Sequence, residues 1–152
     1  MTRRVIFLDI DGVLAPIRRW DRYEDLDPAC VQVLNQIVAD CSAEIVISST
    51  LRHGKSVAEL QEMLDAQGFA GRVVDKTPSD LPGADRADEI AAWLVEHDDV
   101  VGYVIIDDHA VMGELRRHLV QTHPAHGLQP ADVPRAIATL MRNVTPRRPC
   151  AV

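Results

Sequence analysis

Three apolar runs in this 152-residue chain end in small or acidic polar residues. "VIFLDIDGVL" (5–14) carries Asp9 and Asp11 at its far end, followed at once by Gly12. "EIVISST" (44–50) closes on Ser48, Ser49 and Thr50, and "VVGYVIIDD" (100–108) closes on Asp107 and Asp108. One carboxylate beside an apolar strand is ordinarily a turn former or a helix cap. Two of them, a single residue apart, concentrate negative charge. Carboxylates converging on one edge repel strongly unless a divalent cation lies between them. An all-oxygen set of this kind suits Mg²⁺, which takes one or two carboxylates and fills its shell with waters and substrate phosphate oxygens.

The order of residues suggests roles. Asp9, nearest the buried strand, can be held for in-line attack on phosphorus, giving an aspartyl phosphate. Such an attack on a phosphate dianion is electrostatically opposed, and Mg²⁺ would offset the repulsion. Asp11 can give a proton to the leaving oxygen and later take one from water. Gly12 permits a sharp turn that brings backbone amides to the phosphate. Ser48 can hold a phosphoryl oxygen through its hydroxyl and the following amide, with Ser49 and Thr50 as neighbouring alternatives. The transferring group also calls for a cation. Arg86, opening "RADEIAAWL", is preferred, and Lys76, ending "RVVDK", is the second choice. The ordinary alternative for Arg86 is a surface residue paired with Glu89 one turn on.

The elements that must position these residues alternate. Strands are expected at 4–10, 43–49, 72–76 and 100–108, with a short edge strand at 119–122. Helical patterns fill 26–40, 56–69, 83–98, 109–118 and 130–143. In the first helix Asp27 is the expected N-cap, Pro28 suits the first turn, and Val31, Leu34, Ile37 and Val38 share a face. Trp93 sits at core spacing. Residues 1–143 read as a single domain and 144–152 as a frayed, flexible tail. The pattern predicts an α/β fold, a Rossmann-like three-layer sandwich with a mainly parallel sheet. Ligands of such sheets sit outside the carboxyl ends of the strands, where all three polar endings fall.

A formal net charge of −7 argues against a general nucleic-acid coat protein. It leaves room for a local basic patch, in which Arg18, Arg19, Arg22 and Arg52 would line an open site and attract polyanions. Trp20 and Tyr23 would stack on a base; covering the core edge is the commoner fate of such residues. Cys30, Cys41 and Cys150 form no metal-type pair, which points to a reducing cytoplasm, with Cys30 and Cys41 as small core residues. The apolar run after Arg3–Arg4 is cut by Asp9 too soon for a signal core, and no stretch is long enough to span a membrane. The expected setting is cytoplasmic, with no membrane and no obligate protein partner. His118, His123 and His126 match no standard zinc spacing.

"FLDIDGVL", "IVISS", the Arg86 segment and "VIIDD" resemble, in order, the four motifs of the haloacid dehalogenase (HAD)-like superfamily of phosphohydrolases, over residues 5 to 108. The resemblance implies Asp9 as nucleophile, Asp11 as general acid/base, Ser48 as phosphate ligand and Asp107 or Asp108 as the acidic metal site. It also implies Mg²⁺ bound by the Asp9 side chain and the main-chain carbonyl of Asp11. An aspartate at the place of Asp11 is typical of the family's phosphatases and phosphotransferases, and the dehalogenase branch lacks it. "SSTLRHG", "RADEIAAWL" and "GLQPADVPRAI" are further similar to small HAD-like domains associated with RNA-repair proteins. Family members carry substrate-selecting caps after the first motif; here only "APIRRWDRYEDLDP" separates strand from helix. A minimal cap implies an open site, suited to a phosphate on a large substrate. The expected activity is a Mg²⁺-dependent phosphomonoesterase, with a nucleic-acid end phosphate as leading substrate. The alternatives are a HAD-like binding or regulatory module, or a small-molecule phosphatase or nucleotidase. A signalling receiver domain and a Toprim nuclease place their acidic residues in different orders and fit poorly.

Overall fold

In the computed structural model, which describes residues 2–17 and 26–144, with the Leu51 side chain excepted, the apolar runs form one five-stranded sheet. Arg18, Arg19, Trp20, Arg22, Tyr23 and Cys150, to which the sequence assigned possible roles, lie outside the described residues. The strands are β1 (Arg3–Leu8), β2 (Glu44–Ile47), β3 (Val73–Lys76), β4 (Val100–Asp107) and β5 (Leu119–Gln121). Their order is β3-β2-β1-β4-β5, and every neighbouring pair is parallel. The helices are α1 (Pro28–Cys41), α2 (Val57–Asp65), α3 (Arg86–Val95) and α4 (Val133–Met141).

Alternation along each strand supplies two cores. Ile6, Leu8, Ile45, Ile47, Val104 and Ile106 face one side, against α1, α2 and α4. Val5, Phe7, Val46, Tyr103 and Ile105 face the other, against Ile90 and Trp93 of α3, with Met112 and Leu115. A parallel strand covered on both faces must be apolar throughout, and Val5 to Leu8 are all fully buried. Cys30 and Cys41 are buried in the first core. The division of helices follows from right-handed crossovers: β1 to β3 progresses one way, and the return to β4 reverses direction and moves α3 to the opposite face.

Local chemistry sets the helix starts. The Asp27 carboxylate accepts the Ala29 N–H at 2.9 Å, with Pro28 in the first turn of α1. α2 opens with a reciprocal Ser56–Glu59 capping box. α3 opens with an Asp85–Asp88 box, a device worth about 1 kcal/mol. That box fixes Arg86 as the first helical residue, at the end of α3 nearest the carboxyl edge of the sheet.

Two expectations need correction. The helix expected over 109–118 does not form; only a 3₁₀ turn at Gly113–His118 does. The Asp107 carboxylate captures the His109 N–H at 2.9 Å, and Gly113 sits at φ +52°, so the segment begins as a side-chain-held turn. Val144, read as part of the tail, donates its N–H to Val101 O at 2.8 Å and packs on the second core. No helix among the described residues is long and apolar enough to cross a membrane.

Candidate active site

The chain order reverses at β1, where the path outward to β3 gives way to a return on the other side at β4. This is the topological switch point, the place where open parallel sheets bind ligands. The ladder continues one residue past the strand ends: Asp9 N–H donates to Ile106 O and Ser48 N–H to Leu8 O, each at 3.0 Å. Thr77 N–H to Ile47 O and Thr122 N–H to Asp107 O repeat the pattern at 3.0 Å. Asp9, Ser48 and Asp107 are therefore held on sheet backbone rather than on free loops, and all three are buried.

One carboxylate oxygen from each of Asp9, Asp107 and Asp108 lies within 4.8 Å of the other two. Arg86 reaches into this cluster, with Nη1 2.7 Å from Asp107 Oδ2 and 3.4 Å from Asp9 Oδ2. A single guanidinium does not balance three acids. Burial first, and then the Asp107 charge, raise the Asp9 pKa from 3.8 to about 8 despite Arg86. Burial and the neighbouring Asp107 push Asp108 up as well. Burial disfavours the charge on Arg86, yet Asp9, Asp107 and Asp108 outweigh it and raise its pKa. Hard oxygen donors at this spacing, short of positive charge, fit a small divalent cation such as Mg²⁺. Arg86 is not paired with Glu89, the ordinary alternative; that acid is engaged elsewhere.

Asp11, two residues past Asp9, is half-buried, and its carboxylate stands outside the three-acid cluster. Only its main-chain carbonyl was implicated in metal binding by the family resemblance. Gly12 takes the sharp turn its sequence context suggested, at positive φ, and has a second role there. Its N–H is taken by Ala15 O at 2.9 Å, so it is not free for a phosphate. At φ +80°, a Cβ here would run into the Asp108 carboxylate, 2.7 Å from Cγ. Gly12 is therefore the gap into which Asp108 fits. Gly12→Ala is expected to cost roughly 1–3 kcal/mol from strain and displacement of Asp108, measured by urea unfolding. Gly54→Ala is the control, since Gly54 has φ +72° with nothing within 4 Å of the added carbon.

Ser48 is fully buried, and its Oγ has no hydrogen-bond partner among the described residues. An orphaned buried hydroxyl costs about 1–3 kcal/mol, which a ligand oxygen would recover. Ser49 is equally buried. Two residues proposed to contact substrate lie elsewhere. Lys76 Nζ donates to Lys55 O at 2.6 Å and Arg52 O at 3.3 Å, bracing the loop after β2. Arg52 is only 2% exposed and every polar group on it faces protein, so it does not line an open site.

Thr122 was overlooked in the sequence. Its Oγ1 donates to Gly12 O at 2.7 Å in a buried contact, and Gln121 Nε2 reaches Asp108 O at 3.3 Å. The signal was present, because Thr122 stands one residue past the short edge strand, as Ser48 stands one residue past β2. Glu89 was considered only as a surface partner for Arg86.

A parallel α/β sheet with carboxylates at the ends of β1 and β4 and a cation from the intervening helix defines a HAD-type domain. A family model described as "HAD domain in Swiss Army Knife RNA repair proteins" matches residues 5–133. The chain belongs to that family. No curated protein matches it.

Proposed function

We propose that the chain is a divalent-cation-dependent phosphomonoesterase that works through an aspartyl phosphate. The observation that carries this reading is the meeting of Asp9, Asp107 and Asp108 within 4.8 Å, with Arg86 on two of them. Asp9, the Asp11 carbonyl and Asp107 or Asp108 would hold Mg²⁺, which when bound supplies the positive charge that keeps these acids ionised and screens the phosphate. An Asp9 oxygen attacks phosphorus as the ester P–O bond breaks, and Asp11 gives its proton to the departing oxygen. Arg86 holds Asp9 and Asp107 in their relative positions and offsets part of their charge. The Ser48 hydroxyl and the following amide bind a phosphoryl oxygen. A water then gives its proton to Asp11 as its oxygen attacks phosphorus. The bond to Asp9 breaks, and inorganic phosphate leaves.

The family's tie to RNA repair and the short link between Asp11 and α1 support a phosphate at a nucleic-acid end as substrate. The test is phosphate release from p-nitrophenyl phosphate, mononucleotides and 3′- or 5′-phosphorylated oligonucleotides, each with Mg²⁺ and with chelator. Mg²⁺-dependent turnover highest on oligonucleotides is expected. Turnover confined to mononucleotides would make it a nucleotidase, and none on any substrate, from folded protein, would favour a binding module.

A further inference from the structure

Arg52 is the largest fully buried side chain among the described residues. Its Nε donates to Thr77 O at 3.0 Å, and Nη1 donates to Ser48 O at 3.1 Å and Ser49 O at 2.8 Å. Nη2 donates to Pro78 O at 3.2 Å and pairs with Glu89 Oε2 at 2.5 Å. One planar fork thus joins three segments: the end of β2 with Ser48 and Ser49, the end of β3, and α3. Glu89 lies three residues beyond Arg86, on the same face of α3. The two basic side chains thereby divide the work, Arg86 reaching the acids of β1 and β4 while α3 itself is tied to β2 through Glu89.

We infer that Arg52, through Glu89, is a positioning residue that sets the distance between the Ser48 hydroxyl and the Arg86 guanidinium. A buried ion pair gains little stability over apolar packing of the same volume, so what the pair adds here is geometry. Three backbone segments are held by directional donors that only a guanidinium supplies in a fixed plane. A lysine offers one nitrogen and cannot span Thr77 O, the Ser48–Ser49 carbonyls and Glu89 together. The catalytic consequence rests on the phosphatase reading above; the mechanical coupling does not.

The test compares Glu89→Gln, Arg52→Lys and Arg52→Met with the wild-type chain in three measurements. These are steady-state hydrolysis of p-nitrophenyl phosphate with Mg²⁺, thermal unfolding, and amide hydrogen exchange. Positioning predicts a fall in kcat on the order of 10–100-fold with KM nearly unchanged, since small displacements in a reacting site carry penalties of that size. Arg52→Lys should retain more activity than Arg52→Met. Exchange should rise together at 48–52 and at 77–89 in Glu89→Gln, with the rest of the sheet unaffected. A lowered Tm with unchanged kcat would overturn the inference, as would faster exchange in only one of the two segments. If the wild type releases no phosphate from any substrate of the panel above, the phosphatase reading fails, and the exchange pattern alone decides the coupling by the same criteria.

Discussion

Asp9→Asn is expected to abolish phosphate release, by at least ~10³-fold in kcat, without unfolding the chain. The amide has nearly the shape of the carboxylate, so the buried position at the end of β1 and the backbone bond from Asp9 N–H to Ile106 O are kept. What is lost is the nucleophile and one of three converging acids. Removing that acid relieves repulsion from Asp107 and Asp108 that Arg86 only partly offsets. In metal-free buffer at pH 8 the variant should therefore unfold no lower than wild type, and higher by roughly 5 °C if relief approaches 1–2 kcal/mol. Phosphate-release kinetics and calorimetry on the same preparations check both halves. Substantial turnover in Asp9→Asn would rule out an aspartyl-phosphate route, and a large loss of Tm would show that Asp9 is held by attraction rather than against repulsion.

Removal of divalent cation should have the second large effect, on turnover and on the pH dependence of stability together. An unfolded Asp9 titrates near 3.8, whereas the buried group in the metal-free fold titrates at about 8. Below about pH 4 both states hold the proton and the group contributes nothing. Between about 4 and 8 the folded state retains a proton that the unfolded chain has released, so each step upward in pH favours unfolding. Above 8 the penalty is complete and constant. Metal-free protein should therefore lose Tm as pH rises from 5 to 8. Added Mg²⁺ binds the ionised carboxylates and should raise Tm most at the alkaline end, by linkage. A Tm series at pH 5, 6, 7 and 8, with Mg²⁺ and with chelator, reads this directly. Asp9→Asn should flatten the chelator series. A metal-free Tm that rises with pH, or a Mg²⁺ effect equal at pH 5 and pH 8, would count against the site. Chelation should also remove phosphate release.

Much of the fold was legible in the chain because its signals are local. Strands β1, β2 and β4 are built on apolar runs, and α1, α2 and α3 begin at recognisable Asp or Ser caps. The 109–118 segment misled because its composition is helical, while the Asp107 carboxylate at its head captures the His109 amide. No propensity reports a carboxylate that is already committed to the turn.

The candidate site divides in the same way. That Asp9, Asp11, Ser48, Asp107 and Asp108 stand just beyond apolar runs is a property of the linear sequence, and the parallel sheet then puts strand ends on one edge. Which of them meet is a matter of strand order. Asp107 lies against Asp9 because the chain returns from β3 to the far side of β1, a pairing between residues almost a hundred positions apart in sequence. The same long-range geometry brings Arg86 to the acids and turns Lys76 to loop carbonyls. It also makes Gly12 a recess for Asp108 and buries Arg52 against Glu89. The sequence by itself determined the elements and the residue types offered at their ends, since periodicity, caps and burial act within a few residues. The tertiary structure alone decided which charges face one another, because electrostatics and close packing depend on distance in space, and that distance is set by the order of the strands.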